Sequence, residues 1–291
     1  MAETLTAQGD DRALMEQSSV RALLDQVRDA VRVRDGGVEV ASEEALRGAG
    51  IESLVRAAVF GEDADVRDTA RWIIGEAGDR LGIRPASIHD LYMARGRGQV
   101  SGFTVPAMNI RAAAFDTARA MFAAARELQV GALICEIARS EIGYTDQRPA
   151  EYVAVMTASA IKAGWSGPLF VQGDHFQLNA KKYKANPDAE MRAVKDIIRE
   201  GLHAGFYNID VDTSTLVDLS KEDLDAQQEL NYRLSAELTA YVRHYQPRGV
   251  TVLVRWSRSL NRSRTQSSPR SSSPGRSAWY SAFASSSRAS C

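Results

Sequence analysis

The sequence predicts an α/β protein built around a parallel sheet, and three observations carry that expectation. From about residue 102, short apolar runs alternate with longer stretches of helical period. Such alternation implies crossover connections, which are right-handed and produce parallel strands. Several of the apolar runs end in polar or charged residues, whereas residues 18 to 96 show a helical period without that rhythm. The expected organisation is an all-helical N-terminal segment over 1–86, a barrel-like α/β region over 87–254 and a tail over 255–291.

In the first segment, Val20, Leu23, Leu24, Val27 and Val31 recur at spacings of three and four, the stripe of an amphipathic helix. "SEEALRGAGIESLVRAAVF" and "DADVRDTARWIIGEAGDRLG" read as further helices that open at a capping Ser or Asp, the second ending at Gly82. "SIHDLYMARGRG" adds one more, opening at Ser87. The Arg and Gly residues of "ARGRGQ" do not lie between a strand and a helix, as a phosphate-cradling loop requires. No chemistry is read in this segment.

The expected strands are "FTVPAMNI" (103–110), "GALICEI" (131–137), "GPLFVQG" (167–173), "FYNIDVD" (206–212) and "GVTVLV" (249–254). Helical patterns such as "AFDTARAMFAAAREL" and "AEMRAVKDIIREGLHAG" separate them. The polar endings are Asn109, Glu136 with Arg139 and Ser140, Asp174 with His175, and Asp210 with Asp212. In a parallel (β/α)8 barrel of the TIM type, the C-terminal strand ends converge on one mouth, where active sites are built. The fold expected is therefore such a barrel, incomplete, with about five of its eight strands.

Composition narrows the function classes. The net charge of −1 gives no support to a general nucleic-acid or acidic-membrane role. No apolar run approaches the roughly 20 residues of a membrane span, and "MAETLTAQGDDR" lacks the regions of a signal peptide, so a cytoplasmic protein is expected. Cys135 lies in an apolar run and Cys291 at the end, which argues against a disulfide framework. The tail holds seven of the 36 Lys+Arg residues and none of the 37 Asp+Glu, so the body carries −8. With fourteen Ser, it reads as a disordered segment or the product of a shifted reading frame.

Four strings, "VPAMNIR", "EIARSEIGY", "QGDHFQLNAKKY" and "YNIDVDTSTLVDLSKEDLDAQQELN", stand in order at consecutive strand ends. Over residues 87 to 254 they resemble the class II, zinc-dependent fructose- or tagatose-bisphosphate aldolases. The segment before 85 lies outside that family's pattern. The resemblance implies reversible cleavage of a ketose bisphosphate to dihydroxyacetone phosphate and an aldehyde. Zn²⁺ would act there as Lewis acid on the ketone, and a carboxylic acid would handle the proton at the aldehyde oxygen. Carried over by motif, Asp174 resembles that acid/base residue and His175 the first zinc ligand. Asn109 and Ser140 resemble substrate-contacting residues, and Asp212 a fourth-strand aspartate that meets a cation or orders the site. The implied partner is a phosphorylated sugar, and a homo-oligomer is compatible, since the family commonly forms dimers or larger assemblies. Its further metal ligands and glycine-rich phosphate loop come from later strands, and none is found after 254; impaired activity is the expectation.

Plainer roles stand beside these. Asp210 and Asp212 share a strand face and could act together, or could simply cap a helix ahead of "STLVDLSKEDL". Asn109 could be a turn residue, Ser140 a loop residue, and Lys181, Lys182 and Lys184 a solvated face. Arg139 is expected to pair with Glu136 or Glu141. A Schiff-base aldolase needs a lysine at a strand end, and no expected strand ends in one. The alternative from another class is a non-catalytic partial barrel serving assembly or regulation.

Overall fold

At the centre of the chain, strands follow one another in space as they do in sequence. The computed structural model describes residues 17–34 and 36–256. Strands β4 (Ala107–Asn109), β5 (Ile134–Ala138), β6 (Gly167–Gln177), β7 (Asn208–Asp212) and β8 (Leu253–Trp256) lie side by side in that order, each parallel to the next. Each strand overlaps one of the five runs read from the sequence, although residues 103–106 and 249–252 are not strand, and the α/β class holds. β8 runs on through Arg255 and Trp256, two residues into the segment where the composition breaks; residues 257–291 of that tail lie outside the described residues.

Between these strands run α6 (Ala114–Glu127), α7 (Arg139–Thr145), α8 (Pro149–Ala163), α9 (Ala180–Ala185), α10 (Pro187–Ala204) and α11 (Leu224–Tyr245). A strand order without reversal places the crossover helices on one face. Alternate strand residues on that face, Cys135, Ile137, Val171, Ile209 and Val211, belong with Val252 just before β8 to the main hydrophobic core. α8 lies deepest and is buried on nearly every side, as its run of Val, Ala, Met and Ile dictates. Its two hydroxyl residues avoid unpaired burial by bonding back one turn, Thr157 to the Val153 carbonyl and Ser159 to that of Val155, each at 2.8 Å.

Outside α8 lies a third layer, made by the N-terminal residues: α1 (Ser18–Val27), a short α2 (Glu43–Ala45), α3 (Ile51–Phe60) and α4 (Ala64–Arg80). Gly78 permits the closest approach, because a Cβ there would stand 2.6 Å from Thr157 Cγ2. Arg71 bonds Glu151 at 3.1 Å and Lys162 bonds Glu52 at 2.8 Å across the same seam. Ser42 and Asp63 cap α2 and α4 as their sequence positions suggest, each worth about 1 kcal/mol. The long helix expected from Ser42 is interrupted: a wide turn over Leu46–Gly50 contains Gly48 in a non-helical conformation.

The expectation of an all-helical N-terminal segment is corrected. Residues Val31–Arg34 (β1) and Gly37–Val40 (β2) form an antiparallel hairpin, with Val31 and Val38 buried against the helices. The reason is written in "VRVRDGGVEV", which alternates with period two on either side of an Asp-Gly pair, a hairpin signal in sequence. Helical spacing had absorbed Val31 because it also falls four residues after Val27. A further short strand, β3 (Ile83–Pro85), pairs in parallel with Gly167–Leu169 at the start of β6. Buried Asn208 fastens that join. Its Nδ2 donates to the carbonyls of Ala86 (3.1 Å) and Val171 (2.9 Å), and its Oδ1 accepts from Ile88 N–H (2.9 Å).

The opposite face of the sheet is built differently along its length. At the N-terminal strand ends, Ile134, Phe170 and Leu253 close an apolar plug with Ile88 and with Leu91 of α5 (His89–Gly96). "ARGRG" forms the end of α5 and the turn after it, not a loop between strand and helix. Toward the C-terminal strand ends, the same face turns polar. Among the described residues, no helix is long and apolar enough to cross a membrane.

Candidate metal centre

The site begins with a glycine and a phenylalanine. The ring of Phe176 is fully buried and lies over Gly173, where a Cβ would stand 2.6 Å from the ring atoms Cε1 and Cζ. Beyond it the ring meets Phe206, with centroids 6.4 Å apart. Seating Phe176 there shifts the register between β6 and β7: Gly173 pairs with Ile209, but the next pair is Phe176 with Val211. Two residues of β6, Asp174 and His175, therefore oppose the single residue Asp210. This is a β-bulge, a device that re-aims side chains beside functional sites. His175 carries its cost, with φ of 42°, the left-handed region that non-glycine residues seldom adopt.

The bulge converts a strand into a cluster. One ligand atom each from Asp174, His175 and Asp210 lies within 4.8 Å of the others. His175 Nε2 is 3.7 Å from Asp174 Oδ1, and its Nδ1 is 3.7 Å from Asp210 Oδ2 and 3.1 Å from Asp212 Oδ2. Asp210 and Asp212 are buried, whereas the His175 side chain is 54% exposed.

Asp212 stands outside the converging group, and its partners explain why. Its Oδ1 accepts from the N–H (3.0 Å) and hydroxyl (2.6 Å) of Ser214, capping the turn Ser214–Leu216. Its Oδ2 accepts from Gln177 Nε2 at 2.6 Å and faces His175 Nδ1. Burial works against the charge, but these donors outweigh it and hold the Asp212 carboxyl below its ordinary value. With Nδ1–H directed at Asp212, the His175 ring is oriented so that Nε2 is left for a ligand, the usual support for a metal-binding histidine. Asp212 thus orients His175, and the group whose ligand atoms converge is Asp174, His175 and Asp210.

The other carboxyls of this face are pushed the opposite way. Burial raises Asp174, and the nearby charge of Asp210 adds to it, while His175 and Arg255 oppose the rise. Glu136 is raised by burial and then by Asp174, against Arg255 and a 2.8 Å bond from Gln172 Nε2. The Gln172 Oε1 atom is buried without a hydrogen-bond partner among the described residues. For His175, burial disfavours the cation, but Asp174, the Asp212 bond and Asp210 prevail and raise it above an ordinary imidazole.

Asn109 and Ser140 lie at the ends of neighbouring strands in different surroundings. Asn109 Nδ2 donates to Glu141 Oε2 at 2.6 Å; Glu141 is buried and also accepts from Arg111 and from the Ala138 N–H at 2.8 Å. Ser140 is exposed and shares with His175 an open cleft of about 600 Å³, lined also by Gln177, Arg148 and Lys182. Of the lysine run, Lys182 thus reaches the same cleft as His175. Arg139 pairs with neither Glu136 nor Glu141. It bonds buried Glu190 at 2.6 Å and the Gln177 carbonyl at 2.7 Å, because α10 presents Glu190 directly behind the end of β6. Cys135 is a buried free thiol, and burial raises its pKa strongly.

A divalent cation fits this donor set. One imidazole nitrogen with carboxylate oxygens suits Zn²⁺, and equally Mn²⁺ or Fe²⁺, so the donors select a charge class and not one metal. Sequence reasoning named Asp210 only beside Asp212 on one strand face, and gave Glu136 and Glu141 no part beyond pairing with Arg139. The period of two placed Asp210 beside Asp212, but only the register of β6 on β7 distinguishes them. No family model matches the sequence, and a search of curated proteins finds no match either.

Proposed function

We propose that the chain is an aldolase of the class II type, using a divalent cation for reversible aldol cleavage of a phosphorylated ketose. The observation that carries this reading is the bulge that sets Asp174 and His175 against Asp210 at the C-terminal ends of consecutive parallel strands. Consecutive order with the crossover helices on one face is the arrangement of a (β/α)8 barrel wall, and we read the sheet as part of such a barrel.

In this reading His175 Nε2 and Asp210 hold the cation, and Zn²⁺ is the metal the resemblance favours. When bound, the ion polarises the substrate carbonyl as a Lewis acid. Asp174 keeps its proton more readily than a free carboxyl, because burial and Asp210 both disfavour its charge. That suits it to deliver a proton to the aldehyde oxygen in condensation and to remove one from the substrate hydroxyl in cleavage. Asp212 fixes the tautomer and tilt of His175. Ser140 and Lys182 line the cleft beside His175 and provide a hydroxyl and a cation for a phosphorylated sugar.

The test is Zn²⁺ and Mn²⁺ titration, together with cleavage assays on fructose and tagatose 1,6-bisphosphates. His175→Ala and Asp210→Asn should abolish cation binding. Asp174→Asn should lower kcat by about 10²-fold or more while cation binding persists. A wild-type protein that binds neither cation would end the reading.

A second reading is a non-catalytic protein of assembly or regulation. It is favoured by the N-terminal layer, whose helices α3 and α4 cover α8 and which contributes no residue to the cluster. Cation binding without cleavage of either sugar would favour it.

A further inference from the structure

β8 completes the polar face with a residue of the opposite charge. Arg255 pairs in register with Asp210. Its direction is fixed by its neighbours on both sides. Leu253, two residues before, joins Ile134 and Phe170 in the plug of the polar face. Trp256, one residue after, turns to the helix face, where its Nε1–H donates to Thr239 Oγ1 of α11 at 3.1 Å. By the period of two, Arg255 stands on the face of Leu253, in line with Asp210 and beyond the plug. Along the same face, Asp174 on β6 and Glu136 on β5 follow Asp210 across the sheet.

We infer that Arg255 is the internal counter-ion of the Asp174, Asp210 and Glu136 carboxylates, standing in the electrostatic place of a divalent cation. A carboxylate group of this density needs positive charge nearby, and a guanidinium on the adjacent strand supplies it without a metal. The consequence is competition: an arriving cation meets a site whose negative charge is already partly balanced. Arg255 would then set how tightly the site binds a metal, although it donates nothing to one. This consequence rests on the metal reading; the counter-ion role does not.

Two measurements on the full chain separate them. The first is a double-mutant cycle in metal-free protein, with Arg255→Gln, Asp210→Asn and their combination followed by urea unfolding. Arg255→Gln should shift the folding equilibrium roughly threefold toward the unfolded state, and most of that shift should vanish in the Asp210→Asn background. Strict additivity would overturn the inference. The second is titration with Zn²⁺ or Mn²⁺ alone. Arg255→Gln should tighten binding roughly tenfold at low salt, and the gain should shrink as salt rises, because Arg255 is exposed. Arg255→Lys should retain the wild-type affinity, and Arg248→Gln, in the turn before β8, should leave it unchanged. A coupled cycle with equal affinity in Arg255→Gln would also overturn the inference. A coupled cycle with no cation binding in any variant would leave the counter-ion role standing and remove the metal reading.

Discussion

The two faces of the sheet come from the same strands and obey opposite chemistry. On the helix side, Cys135, Ile137, Val171, Ile209 and Val211 are fully buried and apolar, and they hold α8, α10 and α11 in place. On the other side, Glu136, Gln172, Asn208, Asp174 and Asp210 occupy the alternate positions above an apolar plug. The first face gains stability from burial, about 1.5–3 kcal/mol for each large side chain. The second buries carboxylates and an unpartnered amide oxygen, which costs stability and creates reactivity. Both are products of one period of two, and the difference teaches that the stable face is what holds the costly one in position.

Phe176 joins the faces, so its removal should have the largest effect. Phe176→Ala should cost about 3–5 kcal/mol in urea unfolding and abolish cation binding, since the bulge loses the ring that enforces it. If stability falls and the cation affinity persists, the bulge does not depend on the ring. Gly173→Ala should cost about 1–3 kcal/mol, because its methyl would enter the ring of Phe176, and should displace Asp174 and His175 together.

Asp174→Asn should act in the opposite direction on stability. The raised carboxyl means that its charged form is disfavoured by the fold, so an uncharged amide should stabilise metal-free protein at pH 7, by no more than about 1 kcal/mol. A destabilised variant would show that the Asp174 charge is needed by its neighbours. The smallest effect should be the pH profile. Asp212, Glu141 and Glu190 are depressed, so their stabilisation is present above the ordinary carboxylate range and is lost as pH falls through their folded values. His175 is raised, so its contribution is complete below its unfolded value and is lost as pH rises through its folded one. Raised Asp174 and Glu136 likewise relieve their cost on protonation. Urea midpoints of the metal-free protein should therefore peak at mildly acidic pH, and Asp174→Asn should flatten the fall toward neutrality.

The strands and the helices that separate them were legible because each depends on a local period of apolar residues. The hairpin of β1 and β2 was equally local, in alternating "VRVR" and "GVEV", but was overridden by a helical spacing that ran through Val31. Asp174 and His175 stood out because they follow an apolar strand directly. The pairing of Arg139 with Glu190 was not legible, since 51 residues and a helix packing separate the partners. Nor could composition show that Arg255, the first residue of a Ser/Arg-rich stretch, would extend β8 across from Asp210.

The sequence by itself determined the α/β class, the consecutive strands and the polar character of their ends, because side-chain period and turn chemistry act over a few residues. Only the tertiary structure decided that Asp210 joins Asp174 and His175 in one cluster, while Asp212 braces His175 from its Nδ1 side. That choice depends on the register of two strands separated by α9 and α10, and a shift of one residue turns every side chain to the other face. The seat of Phe176 on Gly173 sets that register. A pairing between distant segments is fixed by packing, and no local pattern encodes it.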